Sequence, residues 1–282
     1  MMRPALFLLA FLVFSPIATS GEEPLRDWTN AQGRTITAKL TSREDESVTL
    51  RMENGRTYDV PLASLSTADQ EYVAQWQEKQ AANAAAEEMG LELGTLGEAI
   101  VESPFSEDTP ATRTGVIAGW NAGIGEWRIE EGALIGDELP EDNHASYLTY
   151  RLEATHLIIR AEVRLGTAEQ IAFACRDTVP PNLHLGRLYI TPEKLWIQHM
   201  SGISKTTKAE RVATKDVSLD PEEWHKVTIE IIGDQYRARV GDEEIEATHS
   251  RFADAKGILA LVNKGKGAGF RNVSLWKAEP NQ

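Results

Sequence analysis

Residues 157–165 read Leu157-Ile158-Ile159-Arg160-Ala161-Glu162-Val163-Arg164-Leu165. Leu157, Ile159, Ala161, Val163 and Leu165 are apolar, and three of the four positions between them carry charge. Successive side chains of an extended strand point to opposite faces, so this stretch spells a strand with one dry face and one wetter one. The same period recurs downstream in Ile171-Phe173-Cys175, Val227-Ile229-Ile231, Tyr236-Ala238-Val240 and Ile258-Ala260-Val262. Gly166, Gly186, Gly233-Asp234 and Gly241-Asp242 punctuate these runs, and Pro140, Pro192 and Pro221 fall between them. No helix-length periodic stretch interrupts the series. Residues 115–278 therefore predict an antiparallel β-sandwich.

Upstream lies a second, smaller set of strands. Thr35–Leu40, Val48–Met52 and Tyr58–Val60 alternate, with turns at Gly33-Arg34 and Asn54-Gly55. Asn-Gly between apolar alternations is a strong hairpin signal. Four or five strands within residues 26–65 suit a small barrel, because closure leaves no exposed edge. Helix follows. Ser66 before a first turn holding Asp69 predicts an N-terminus, and Tyr72, Val73 and Trp76 form one apolar face. The helix continues through Gln77–Met89 to Gly90, and residues 77–114 are expected to form an acidic helical connector and loop.

The first 20 residues carry an export signature. Arg3 supplies a positive start, residues 5–14 are an unbroken apolar run, and Ala18-Thr19-Ser20 offers the small residues a signal peptidase accepts. The run is about half the ~20 residues a membrane-spanning helix needs, so no span is expected and the mature chain should begin near Gly21, secreted or periplasmic. The charge balance is 29 basic against 43 acidic residues, a net −14 with no basic cluster, which excludes nucleic acid as a partner. Cys175 stands alone, cannot close an intramolecular disulfide, and alternates in phase with buried positions.

Two resemblances sharpen this outline. Arg26-Asp27-Trp28-Thr29, Gly33-Arg34, Val48-Thr49-Leu50, Val60-Pro61-Leu62, Leu65-Ser66, Asp69-Gln70, Tyr72 and Trp76 resemble the bacterial version of the SHD domain, the first homology domain of a yeast endocytic adaptor, over residues 26–76. That resemblance implies an SH3-like barrel carrying the start of a C-terminal helix, and a protein-binding role. The residues themselves read Trp28, Pro61, Leu62, Leu65 and Trp76 as packing positions rather than ligand contacts. Glu126-Trp127-Arg128-Ile129-Glu130-Glu131-Gly132-Ala133-Leu134, Glu223-Trp224-His225-Lys226-Val227 and Gly269-Phe270-Arg271-Asn272-Val273-Ser274-Leu275-Trp276 resemble framework motifs of the 3-keto-disaccharide hydrolase family. The resemblance implies a concanavalin-like sandwich, or jelly roll, and brings no catalytic residue with it. Both modules behind an export signal are similar to secreted proteins of planctomycetes.

Chemistry has few footholds. A retaining glycosidase needs two carboxyl groups about 5–5.5 Å apart, which a period-two acid row on one strand would supply. The paired acids Glu130-Glu131, Glu141-Asp142, Glu222-Glu223 and Asp242-Glu243-Glu244 lie beside Gly or Pro and read as turn residues. The six histidines show no His-x-His or His-Glu-x-x-His spacing, so no metal is expected, and no phosphate loop or nucleophile elbow calls for a cofactor. Recognition remains. Asp142, Asn143 and His144 concentrate polar groups in a Pro-started turn near Tyr147. In Lys194–His199, if Leu195 and Ile197 face the core, Trp196 points out and His199 points in. Exposed aromatics with polar neighbours are what a sugar-binding surface uses. Non-catalytic binding of an extracellular glycan or protein is thus the expected function. The rivals are a glycoside-processing enzyme, with His144 or His199 as a single base on a keto-sugar, and a structural envelope protein.

Overall fold

The computed structural model describes residues 23–178, 184–201 and 208–281; the expected export signal lies outside them. The chain divides after Ala84 into two compact units.

The first unit is an antiparallel meander of β1 (Arg26–Thr29), β2 (Thr35–Glu44), β3 (Ser47–Met52) and β4 (Thr57–Pro61), in chain order. Its two ends meet. Asn30 bridges Leu65, the Ser66 amide donates to the Thr29 carbonyl at 2.8 Å, and the Ala31 amide to Ser64 at 2.9 Å. The period-two positions Trp28, Ala38, Leu40, Val48 and Leu50 fill the interior with Leu65 and Val73. Helix α1 (Thr67–Met89) starts where expected. Ser66 Oγ accepts the Asp69 amide at 3.2 Å while donating to its carboxylate at 2.8 Å, a reciprocal cap. Asp69 also accepts from the Thr29 amide and from Arg26, whose guanidinium lies 3.8 Å over the Tyr72 ring and 4.6 Å over Trp28. One buried carboxylate so ties the first strand to the helix. The packing expectation needs correcting at Pro61, which is exposed; Trp76 packs against this cluster but stays half-buried, at the mouth of a cleft of about 530 Å³ shared with Leu25, Lys39, Arg51 and Met52.

Helix α1 ends as its sequence dictates. Gly90 takes φ +62°, its amide donates to Glu87 and the Leu91 amide reaches Ala86, both at 2.9 Å. This is the two-bond closure that a left-handed residue after a helix allows.

The second unit begins earlier than the sequence suggests. Residues 94–103, expected in the connector, form β5 (Gly94–Ser103), followed by β6 (Thr109–Thr112), β7 (Gly115–Ile117), β8 (Trp120–Ile124), β9 (Glu126–Glu130) and β10 (Ala133–Asp137). Then come β11 (Ser146–Ala154), β12 (Leu157–Arg164), β13 (Gln170–Asp177), β14 (His184–Ile190), β15 (Lys194–Ser201) and β16 (Lys208–Asp216). The series closes with β17 (His225–Ile232), β18 (Gln235–Val240), β19 (Glu243–Thr248), β20 (Lys256–Lys264) and β21 (Lys266–Pro280). They form two antiparallel sheets. One runs β19-β18-β17-β12-β21-β10-β9-β6, with β5 also on β21; the other runs β16-β15-β14-β13-β20-β11-β8-β7. The inward halves of the alternating runs, such as Ile159, Val163, Phe173, Ile229, Leu261 and Phe270, make the core between them. The Glu131-Gly132 turn joins β9 to β10 with both residues at positive φ (+51° and +74°), as a two-residue hairpin of this twist needs.

Candidate functional site

The outward half of the second sheet carries a layer of its own. Strand register sets Tyr147, Val262, Ala172, Tyr189, Trp196 and Thr214 side by side across β11, β20, β13, β14, β15 and β16. The next row holds Thr149, Ala260, Ala174, Arg187, Gln198 and Arg211. Beyond it, Arg176 pairs with His184. Small residues in the middle leave room for large neighbours to fold over them. Ala172, Ala174, Ala260 and Val262 are buried under Tyr189 and Trp196, with Tyr147 packed alongside.

This layer is built from stacked planes. Tyr189 and Trp196 lie face to face, centroids 4.5 Å apart and 12° from parallel. The Arg211 guanidinium sits 4.6 Å from the Trp196 centroid, and Arg187 sits 5.1 Å from Tyr189 while donating to the Tyr189 hydroxyl. Arg176 lies 5.7 Å over Tyr147, whose ring meets His144 edge-on at 5.8 Å. A ring under a guanidinium attracts the cation without neutralising it and leaves its in-plane N–H groups free to donate.

Several of those donors have nothing to donate to. Arg187 Nη2 donates to His184 Nε2 at 2.5 Å, so the His184 proton resides on Nδ1. That Nδ1, Arg176 Nε, Arg187 Nε and Trp196 Nε1 are buried and find no hydrogen-bond partner among the described residues. No carboxylate pairs with Arg176, Arg187 or Arg211 there, although Arg128, Arg237 and Arg271 elsewhere are each matched to an acid. Burial, followed by Arg187, Arg176 and His144, pushes His184 down to about 2, so the ring is neutral across the physiological range. Burial likewise holds Arg176 below its ordinary value, with Arg187 adding to the effect.

Of the residues picked out from sequence, His144, Tyr147 and Trp196 join this layer. Trp196 does point away from the core, yet it is 7% exposed, because Tyr189 and Arg211 cover its faces. Asp142 and Asn143 serve the turn: Asp142 accepts from the Gly125 amide and from Arg113, and Asn143 caps the turn in the left-handed conformation. His199 faces the other side of its sheet, 2% exposed, stacked on His249 at 3.7 Å with Glu210 at 3.3 Å. Sequence reasoning missed Arg176, His184, Arg187, Tyr189 and Arg211. The available signal was phase: Arg176 continues the outward series Ala172, Ala174, and Arg187 continues to Tyr189.

The reading of the acids as turn residues also fails at Glu130, which ends β9, and in β19. Glu244 and Glu246 form a period-two pair on β19, near Glu92. Arg237 satisfies them: it contacts Glu230, Glu92, Glu244 and Glu246 at 2.5–3.3 Å, so the cluster is a charge network around one guanidinium. Among the described residues no other group of three metal-ligating side chains comes together, and no helix there is long and apolar enough to cross a membrane.

No protein-family model and no curated protein matches the chain. Solved structures with a similar fold include a carbohydrate-binding module from Bacillus subtilis (14% identical, 56% of this chain and 96% of that one, TM-score 0.47). A laminarinase from Rhodothermus marinus is also similar (11% identical, 64% of this chain and 98% of that one, TM-score 0.47). At such identity no residue role passes from them to this chain.

Proposed function

We propose that the second unit binds carbohydrate, without catalysis, on the outer face of its β16–β7 sheet, in an exported protein. The observation that carries this reading is the donor-rich layer: planar side chains stacked in place, with four buried N–H groups lacking an acceptor. An unmet buried donor costs about 1–3 kcal/mol, so a partner offering closely spaced oxygens would be rewarded. A sugar offers them. Hydrolysis of a glycoside needs a protonated acid beside an ionised one, and the ionisable groups of the layer are arginines, tyrosines and histidines. His184, held down to about 2, is too weak a base to draw a proton from carbon. His199, one of the bases proposed for a keto-sugar, lies under the sheet. His144 is exposed beside Tyr147 and keeps the 3-keto-disaccharide reading testable. In the first unit, the cleft beside Trp76 is where we propose that a protein segment would dock if the SHD-like reading as a protein-binding module holds.

Titration of the purified protein with a panel of neutral and acidic oligosaccharides tests the main proposal. Binding should weaken at least tenfold in Tyr147→Ala and Gln198→Ala proteins that unfold like the wild type. Failure of every saccharide to bind overturns it, as does turnover of 3-keto-glycosides abolished by His144→Ala. N-terminal sequencing of exported protein beginning near Gly21 tests the location.

A further inference from the structure

The structure assigns the ligand a negative charge: we infer that the outer-face layer recognises a glycan bearing carboxylate or sulfate groups, with Arg176, Arg187 and Arg211 as its anion contacts. This deepens the carbohydrate-binding proposal and rests on it.

Three observations converge. The first is uncompensated charge. The chain has 43 acidic residues for 29 basic ones, yet none of the acids among the described residues pairs with these three arginines. A chain so rich in carboxylates could match them readily. Leaving three cations on one patch costs mutual repulsion, visible in how Arg187 disfavours the charge on Arg176 and on His184.

The second is the chemistry of what is unsatisfied. All four unpartnered buried atoms in the layer, Arg176 Nε, Arg187 Nε, His184 Nδ1 and Trp196 Nε1, are donors. A neutral sugar hydroxyl brings a proton of its own that needs an acceptor. A carboxylate or sulfate brings only acceptors, and guanidinium binds both through paired N–H groups.

The third is the support. Each guanidinium rests on an aromatic ring, Arg211 on Trp196, Arg187 on Tyr189 and Arg176 on Tyr147. Arg187 already donates to Tyr189 and His184, but such stacking fixes the plane of the Arg176 and Arg211 cations and spares the edge of each, which reduces the ordering cost when an anion docks. A salt bridge would have consumed that edge. Because the layer sits on a strongly acidic molecule, long-range attraction for an anionic polymer is weak, and the affinity must come from contact.

The experiment compares, by equilibrium titration of the full chain in low salt, a galacturonate hexasaccharide, a sulfated galactan oligosaccharide of the same length and the uncharged galactan oligosaccharide. At least one acidic sugar should bind ten-fold or more tighter than the neutral one, and raise the thermal midpoint. The preference should shrink as salt is added. Which acidic sugar binds tells carboxylate from sulfate. Arg211→Gln, at an exposed position, should erase most of the preference; Arg187→Gln is the second variant. Equal binding of neutral and acidic sugars, or a preference unchanged in both variants, overturns the charge assignment while the carbohydrate site stands. Binding by none of the three overturns both.

Discussion

Arg237 and Glu230 face each other across β18 and β17, Nη1 donating to the carboxylate at 2.9 Å, with both side chains enclosed at 4% and 1% exposure. Glu230 also accepts the amides of Glu92 and Leu93, and Arg237 donates to the Gly90 carbonyl. The pair thus pins the chain leaving α1 onto the strands of the second unit. Removing one partner strands a buried charge, so Arg237→Ala should cost about 3–5 kcal/mol in urea unfolding. The Arg237→Ala, Glu230→Gln double variant should lose less than the sum of the singles. Additive losses would show that the two act separately.

In the first unit Trp28 is 1% exposed and donates to the Ala38 carbonyl at 3.0 Å. Trp28→Ala should cost about 3–5 kcal/mol. Half-buried Trp76 should cost less when truncated, and thermal unfolding that ranks the two the other way would contradict the packing described.

Cys175 is 1% exposed, and burial, partly offset by Lys256, pushes its thiol up to about 12. The thiolate is the reactive species. The native protein should therefore resist a thiol reagent at pH 8 and react with one equivalent once unfolded in guanidinium. Stoichiometric labelling of the folded protein would refute the burial.

His184 sets a pH dependence. The unfolded chain takes up a proton on this ring as pH falls through about 6.5, whereas the folded chain resists until about 2. Stability should accordingly be full above about pH 7 and decline below it, with a slope of up to ~1.4 kcal/mol per pH unit from this group. His184→Gln should flatten the profile between pH 6.5 and 4.5. Glu162 acts lower down: burial raises its pKa, but hydrogen bonds from Arg271 and Asn272 outweigh that and leave it below the usual carboxylate range, so its contribution disappears as pH falls through that lowered value.

The sandwich was legible because its core strands keep a strict period of two, and Leu157–Leu165 alone shows which residues turn inward. Strand β5 was not legible: Gly94-Thr95-Leu96-Gly97-Glu98 lacks alternation and pairs with β21 only, so no two-sided burial disciplines its sequence. For the site, the outward direction of Trp196 could be read, but its company could not. Arg176, Arg187 and Arg211 are ordinary outward positions until register aligns them, and that register passes through irregularities at Cys175/Arg176 and Ile197/Gln198. Glu243 and Glu244 were misread for a related reason: Asp242 occupies the turn, but they already belong to the strand, where Glu244 and the unremarked Glu246 are held to a partner seven to nine positions upstream.

The placement of β21 governs how the second unit must assemble. It lies between β12 and β10 and also carries β5, so Lys277 meets Glu98 across 179 positions of chain. Neither half of that sheet can be completed until this segment, which follows all its partners in the chain, is in place. Local contacts alone give little to hold, and loop closure over such distances precedes any reward. Folding should therefore be slow, on the scale of milliseconds to seconds, and emerging chains should display unpaired β12 and β10 edges in the meantime.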